Sequence, residues 1–573
     1  MWAITNLPDF KCDLFRTHKA KSFTFFSEFE YCGNDNVHNS AWHITGHIFP
    51  RRNDRIVYDK TESWLSEIFE KNSHNFIRQT KGNFILIRFG DDEFEIYSDR
   101  FGVIKYFYWV SSRAFIITSN LELITKNVSV KPSPASMAIF AVTYHFVGKN
   151  TFFSEVYHNK PAEIIKYKND SLSIDYYWEP SSLLSLKGNG ISIKEISDEL
   201  SLILSEYFNI SGTARLSLSL TGGGDTRNLL AVFLKNGIYP HLYTYGNPFS
   251  SDCIKAKKIT EALNLSHSIY DIEMDSTLFQ KYSRHIIKIS GGLTSLHRSH
   301  RLIAIEMEKL YADYMFLGTL GGEFIKGVSE NDYIVPALVY NNWNAEFVKS
   351  ENLDQYFKAK YLNNDSEIKE QVFNLIKDEP YLNGGVEERK LNALSFITAH
   401  LHDAQDINVF SSVMKDIFTP FLDIDYLEIL FSSCYTFNNK NISGIGILNK
   451  IDNPLFSANF IQFVYPELNR FRYSGEQRGT EILRNKYLGA CLKILRQKTG
   501  RKYKANFPLG KWMEEFVNQN LPLCYDYHEI KATFDLNGLS EELRQNQTIH
   551  KENESYWLKY TNPILMRYII ESF

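Results

Sequence analysis

The chain has 573 residues, a formal net charge of -4 at pH 7, 44% hydrophobic residues and 23% charged residues. That length exceeds one ordinary domain, so two or more are expected. The near-balanced charge gives no reason to expect nucleic acid or anionic membrane as a bulk partner, and no apolar stretch reaches the ~18 residues needed to span a bilayer. The six cysteines (Cys12, Cys32, Cys253, Cys434, Cys491 and Cys524) are scattered without a C-x-x-C pair, which suits a reduced cytosolic protein better than a disulfide scaffold or a zinc site. Met1 to Phe15 holds no apolar run of about 7 residues or more, so no signal peptide is expected and the localisation expected is cytoplasmic.

Residues from about 1 to 180 read as short strands joined by turns. Gly82–Phe89 is a strand candidate, Gly90-Asp91-Asp92 a turn, and Phe94–Ser98 alternates apolar and polar residues as a half-buried strand does. Asp99-Arg100-Phe101-Gly102 turns again, and Tyr106–Val110 is the next strand. Periodicity alone gives a stack of hairpins and no chemistry.

From about residue 190 the pattern changes. Ile193, Ile196, Leu200, Ile203 and Leu204 share one helical face. The apolar run Leu216-Ser217-Leu218-Ser219-Leu220 then enters Thr221-Gly222-Gly223-Gly224-Asp225-Thr226, followed by an apolar helix start. Adjacent glycines permit a tight turn and close ligand approach. Backbone N–H groups at a helix N-terminus favour an anion, the Thr221 and Thr226 hydroxyls add donors, and Asp225 can hold Mg²⁺ beside a phosphate. His241–Gly246, Asp252–Leu263 and Ser266–Asp271 continue the strand–helix–strand alternation of a parallel, doubly wound sheet, whose ligands sit at the carboxyl ends of its strands. His297-Arg298-Ser299-His300-Arg301 reads first as a solvated helix face, and second as a grip on an acidic or peptidic substrate. Tyr314–Gly327 is another strand entering a glycine-rich turn, with Gly318 and Glu323 placed to meet a phosphate and its metal. The chain after about 330 is mostly helical by pattern. Its last notable segment is the basic Arg501-Lys502-Tyr503-Lys504 before Phe507-Pro508-Leu509-Gly510-Lys511-Trp512.

The glycine turn has neither the Gly-Lys-Ser/Thr of a Walker A loop nor the G-x-G-x-x-G dinucleotide fingerprint. It resembles the S-G-G-x-D-S pyrophosphate loop of the PP-loop ATP pyrophosphatases, and more narrowly the T-G-G-x-D-S-R variant of asparagine-synthetase-like proteins. The resemblance extends in order along the chain. Gly82-Asn83-Phe84 and Ser98–Tyr108 look like the family's G-x-F-A and R-D-R-x-G-x-x-P-L-Y-Y segments. Thr151–Val156 through Tyr177-Trp178 is similar to T-L-F-x-x-I and Y-W. Gly318, Glu323 and Gly327 match the family's L-S-G-x-G-x-D-E-x-x-x-G, Pro420–Asp423 is its P-F-L-D, and residues 501–512 resemble R-x-K-x-G-F-x-x-P-L-x-x-W. Anchored on Pro508 and Trp512, the family's catalytic lysine falls on Lys502; anchored on Phe507, it falls on Lys504.

The resemblance implies an α+β protein. Residues 1–185 would be a degenerate glutaminase-like (Ntn) αββα sandwich. Residues 190–573 would be an asparagine-synthetase-like α/β PP-loop domain with a parallel sheet and helical additions. It implies that Ser219, Thr221, Gly222, Gly223, Gly224, Asp225, Thr226, Gly246 and Gly318 bind ATP. Asp225 and Glu323 would hold Mg²⁺, and Lys502 would stabilise the adenylate. The implied chemistry is AMP- and pyrophosphate-forming activation of a carboxylate that an amine then attacks.

The departures are specific. Trp2 stands where the family has its nucleophilic cysteine, so glutaminase activity is not expected; β-lactam synthetases and lasso-peptide cyclases share that loss. Gly322 replaces a metal-binding Asp, Thr319 a residue that assists attack on the adenylate, and Phe418 an Arg. The expected function is a glutamine-independent amide ligase in peptide or natural-product modification, taking a small-molecule or peptide substrate and open to a biosynthetic partner protein. The alternatives are a non-catalytic nucleotide-binding scaffold and an ammonia-fed asparagine synthetase.

Overall fold

A computed structural model describes residues 1–14, 16–28, 32–35, 40–51, 61–71, 75–143, 146–186, 190–212, 214–326, 357–363, 365–376, 402–436, 446–499, 503–505, 507–545 and 554–573. Among the described residues, the first part of the chain has fourteen short strands. They are β1 (Trp2–Thr5), β2 (Arg16–Lys19), β3 (Thr24–Ser27), β4 (Cys32–Asp35), β5 (Ser40–Gly46), β6 (Phe49–Pro50), β7 (Thr80–Lys81), β8 (Phe84–Phe89) and β9 (Glu93–Ser98). The series continues with β10 (Phe107–Val110), β11 (Phe115–Thr118), β12 (Val156–His158), β13 (Glu163–Lys168) and β14 (Ser171–Tyr176). Twelve of them form two six-stranded sheets, ordered β12–β10–β11–β1–β3–β2 and β14–β13–β9–β8–β5–β4, with β6 paired to β7 beside them.

The strand pairs within both sheets are antiparallel. Their inner faces meet through Trp2, Ile4, Phe25 and Ile117 on one side and Ile85, Ile87, Phe94 and Ile96 on the other. Outside the second sheet, Trp42, Phe84, Leu86 and Tyr97 pack against Trp64, Leu65 and Ile68 of the helix Thr61–Lys71. Outside the first, Phe107 and Ile116 are covered by Leu121 and Ile124 of Leu121–Thr125 and by Met137 and Phe140 of Pro134–Thr143. The layers therefore run helix, sheet, sheet, helix. All six residues of β8 are buried because the strand has covered faces on both sides, which is why it reads as a continuous apolar run.

The second part opens with the helix Ile193–Ser211, started by a capping box in which Ser192 N donates to Glu195 Oε2 at 2.8 Å and Glu195 N donates to Ser192 Oγ at 3.3 Å. Five parallel strands follow: β15 (Leu216–Ser219), β16 (His241–Tyr245), β17 (His267–Tyr270), β18 (Tyr314–Phe316) and β19 (Asp416–Phe418). Their order is β17–β16–β15–β18–β19. The chain moves outward from β15 in one direction, then returns to the other side of β15, so the topological switch point lies between β15 and β18. After about 330 the described elements are mostly helices, as expected, with β19 the exception: three residues are too few to show strand alternation. No helix among the described residues is long and apolar enough to cross a membrane.

One apolar core runs from the helix layer of the first part into the parallel sheet of the second. Gly291, at the end of the helix Ser276–Ser290, has φ of +61°, and a Cβ there would lie 2.3 Å from Phe107 Cζ. Gly291→Ala would both strain the backbone and push on β10. We expect a loss of about 2 kcal/mol, read as a lower urea midpoint; an unchanged midpoint would show that this contact gives way freely.

Candidate nucleotide site at the switch point

β15 ends at Ser219, in register with the buried Tyr243 of β16. The glycine turn follows, and the helix Asp225–Lys235 begins with Gly224 at its N-cap and no side chain capping its first N–H groups. Residues 227–234 of that helix are buried, which fixes its N-terminus beside the strand end. The turn is narrower as a cradle than its three glycines suggest. Gly222 N donates to Asp252 Oδ1 at 3.1 Å, and Gly223 N donates to Thr221 Oγ1 at 3.1 Å. Those two N–H groups and the Thr221 acceptor are engaged within the protein. Thr221 Oγ1 accepts there and keeps its own hydrogen to donate. Gly224 and Thr226 follow at the start of the helix Asp225–Lys235. Thr226 Oγ1 is itself buried with no hydrogen-bond partner among the described residues.

The second glycine turn closes directly on the first. A Cβ at Gly318 would lie 3.0 Å from Thr226 N, and one at Gly321 would lie 3.0 Å from Asp225 Cβ. Only a residue without a side chain allows that approach. Leu320, at φ of +64°, turns the chain so that Glu323 starts the short helix Glu323–Lys326 half-buried. Asp225 and Glu323 thus sit on two turns in contact. Gly246 closes β16 with φ of +125°, its N–H donating to Tyr270 O at 2.8 Å. Lys502 and Gly327 lie outside the described residues. Lys504 is exposed, with Nζ 5.1 Å from the centre of the Phe249 ring.

Several residues around the turn carry no signal in the sequence. Ser474 N donates to Gly222 O at 2.7 Å, and Ser457 Oγ would lie 2.6 Å from a Cβ at Gly224. Lys255 Nζ meets Glu476 Oε1 at 2.5 Å and Ser474 O at 3.2 Å; burial lowers its pKa while Glu476 opposes that. Arg227 donates to Phe471 O at 3.2 Å and to Arg472 O, and burial pushes it down to about 10. These contacts reach across more than 200 residues of chain, so local patterns cannot show them. Asp252 and Lys255 were visible only as polar positions on a helix.

At the carboxyl end of β16, Tyr245, Phe507 and His300 form an aromatic wall. Phe507 lies 5.6 Å from Tyr245 and 4.4 Å from His300 between ring centres. Burial pushes His300 down to about 3, so it is a neutral ring, with Nδ1 2.8 Å from His297 O. The basic cluster at 297–301 is therefore not a solvated helix face: His297, Arg298 and His300 are buried.

No family model matches the chain, and no curated protein matches it. Solved structures that match include the glutamine phosphoribosylpyrophosphate (PRPP) amidotransferase from B. subtilis complexed with ADP and GMP, at 10% identity over 45% of this chain and 56% of that chain, with a TM-score of 0.19. Another is described as the allosteric regulatory enzyme of purine biosynthesis, at 9% identity over 45% of this chain and 56% of that one, with a TM-score of 0.19. A third is NMN synthetase from Francisella tularensis, at 13% identity over 35% of this chain and 96% of that chain, with a TM-score of 0.20. The chain thus spans little more than half the length of the first two.

Proposed function

We propose that the protein is an ATP-dependent, AMP-forming amide ligase of the asparagine-synthetase-like kind, without glutaminase activity, with residues 1–185 and 190–573 as its two domains. The observation that carries this reading is the meeting of two glycine turns at the switch point, with an uncapped helix N-terminus and a carboxylate on each turn. The first-turn N–H groups of Asp225–Lys235 and the Thr226 hydroxyl would hold phosphate oxygens. Tyr245 and Phe507 offer a half-buried stacking wall for a base.

Mg²⁺ is held by one or two carboxylates and completes its shell with water and substrate phosphates. Asp225 and Glu323 supply that number, and no group of three His, Cys, Asp or Glu gathers among the described residues. Bound there, the ion would neutralise phosphate charge. In the reaction proposed, a substrate carboxylate displaces pyrophosphate from ATP, and an amine then displaces AMP. Lys502 remains the candidate to stabilise the adenylate. In the first part, Trp2 is buried in β1 and packs near Tyr106, so a packing group occupies the position where the resemblance puts a nucleophile. An amine carried by the substrate fits that loss.

The test is thermal unfolding with and without Mg-ATP in the wild type and in Asp225→Ala. Ligand at about 100 times its Kd adds about 2.7 kcal/mol, a shift of a few degrees for a protein of this size. The expected result is a shift in the wild type and none in the variant. No wild-type shift at millimolar nucleotide would sink the reading. A second reading, a scaffold that does not turn over, is favoured by the engagement of Gly222 N and Gly223 N within the protein. Release of AMP and pyrophosphate in the presence of a carboxylate and an amine separates the two.

A further inference from the structure

The helix Lys486–Thr499 has two faces of opposite character. Its inner face is tied to the protein. Gly489 sits against Ile482, and Lys493 Cε would lie 3.3 Å from a Cβ at Gly475. Arg496 holds Glu481 at 2.7 and 2.8 Å and donates to Glu476 O at 3.1 Å. The outer face is apolar and open to solvent: Tyr487 is 57% exposed, Leu488 43%, Ile494 56% and Leu495 56%, with Cys491 exposed between them. Leu488, Cys491 and Leu495 follow the i, i+3, i+7 spacing of a helix seam, flanked by Tyr487 and Ile494. Single exposed apolar residues are ordinary, but a continuous stripe marks a contact surface.

The charge around the stripe has one sign. Arg484 precedes it, Lys498 closes it on the same face, and both are exposed. No Asp or Glu occurs between Glu481 and Glu514, in a chain whose net charge is -4. We propose that this face docks an acidic amphipathic helix of a partner polypeptide. Leucine-type anchors of the partner would fill the seam, and carboxylates at its two ends would meet Arg484 and Lys498.

Two other occupants fit less well. A two-fold pairing of the face with itself would set Lys498 of one copy against Arg484 of the other, a like-charge contact. A bilayer-binding helix presents cations around a broad apolar half, whereas here Lys493 and Arg496 turn inward. The surface adjoins the segment that holds the glycine turn, through Arg496, Glu476 and Ser474. The inference stands on the stripe and its charge alone, independently of the function proposed for that turn.

The probe is a synthetic two-heptad helix with leucine at the a and d positions and glutamate elsewhere, followed by fluorescence anisotropy against the full chain. Binding is expected to weaken about tenfold in Leu488→Ala with Leu495→Ala, since truncating a central anchor typically costs on the order of 1.4 kcal/mol. It should also weaken as salt rises from ~0.1 to ~0.5 M. Both leucines are exposed and alanine keeps the helix, so the fold is not at risk. Leu523→Ala, an exposed leucine elsewhere, should leave binding unchanged. Three outcomes overturn the proposal: no binding of the peptide; preferential binding to phosphatidylserine vesicles; or a concentration-dependent dimer that the double variant abolishes.

Discussion

Lys81→Met should lower the stability of the folded chain by about 3–5 kcal/mol at pH 7, because it leaves buried carboxylates without their cation. Read as a thermal midpoint, that is a fall of about 3–4 °C for a chain of this length. Lys81 is 1% exposed, in β7. Its Nζ lies 2.7 Å from Glu206 Oε2, 3.0 Å from Asp425 Oδ2 and 3.4 Å from Asp423 Oδ2. Arg51 joins the cluster through Asp425 Oδ1 at 3.0 Å and through Glu428. Two cations of the first part thus face four carboxylates of the second.

Burial opposes the charge of Lys81, but the carboxylates outweigh it and hold its pKa above the ordinary value. A raised lysine contributes fully below about pH 10.4 and loses that contribution only above it. Glu206 and Asp423 are pushed up by burial. Without Lys81 they rise further, so protonation relieves the variant on acidification. The deficit should therefore narrow between pH 7 and pH 5. An equal deficit at both values would show that Lys81 acts by packing and not by charge.

Asp406→Asn should cost a similar ~3–5 kcal/mol, with its pH dependence displaced to lower pH. Asp406 Oδ1 accepts from Arg298 Nε at 3.1 Å, and Oδ2 accepts from both Arg298 and Arg301. Asparagine keeps the shape and removes the charge that the buried Arg298 guanidinium faces at Asp406. Burial pushes the Asp406 carboxyl up, but the two guanidinium groups outweigh it and hold it below the usual range. A depressed carboxylate stabilises above its unfolded value, about 3.9, and loses that contribution as pH falls through the folded one. The deficit should be the same at pH 7 and pH 5 and close only below about pH 4. Urea midpoints at those pH values check it; a change under about 1 kcal/mol would mean that water reaches the pair.

Local chemistry made much of the frame legible. The strands Phe84–Phe89 and Glu93–Ser98 were visible because one is apolar on both faces and the other alternates. The helix from Ile193, β15 and the start of Asp225–Lys235 follow from residues within a few turns of each other. The two glycine turns that carry Asp225 and Glu323 were also visible in the sequence, each after its own strand. The described segments between 402 and 545 hold the main omissions. β19 is too short to show a period, and Ser457, Ser474 and Glu476 have no pattern that points to a glycine turn more than 200 residues away.

By itself, then, the sequence determined what is local: which stretches are strand or helix, that three glycines precede an uncapped helix, and that position 2 is an indole and not a thiol. The tertiary structure alone decided which groups are spoken for. It gave the Gly222 and Gly223 N–H groups to Asp252 and Thr221, and it buried His297, Arg298 and His300. It also made Lys81 a tie between the two parts of the chain. The physical reason is that periodicity and capping act over a few residues, whereas hydrogen-bond partners and desolvation depend on groups brought together from any distance along the chain.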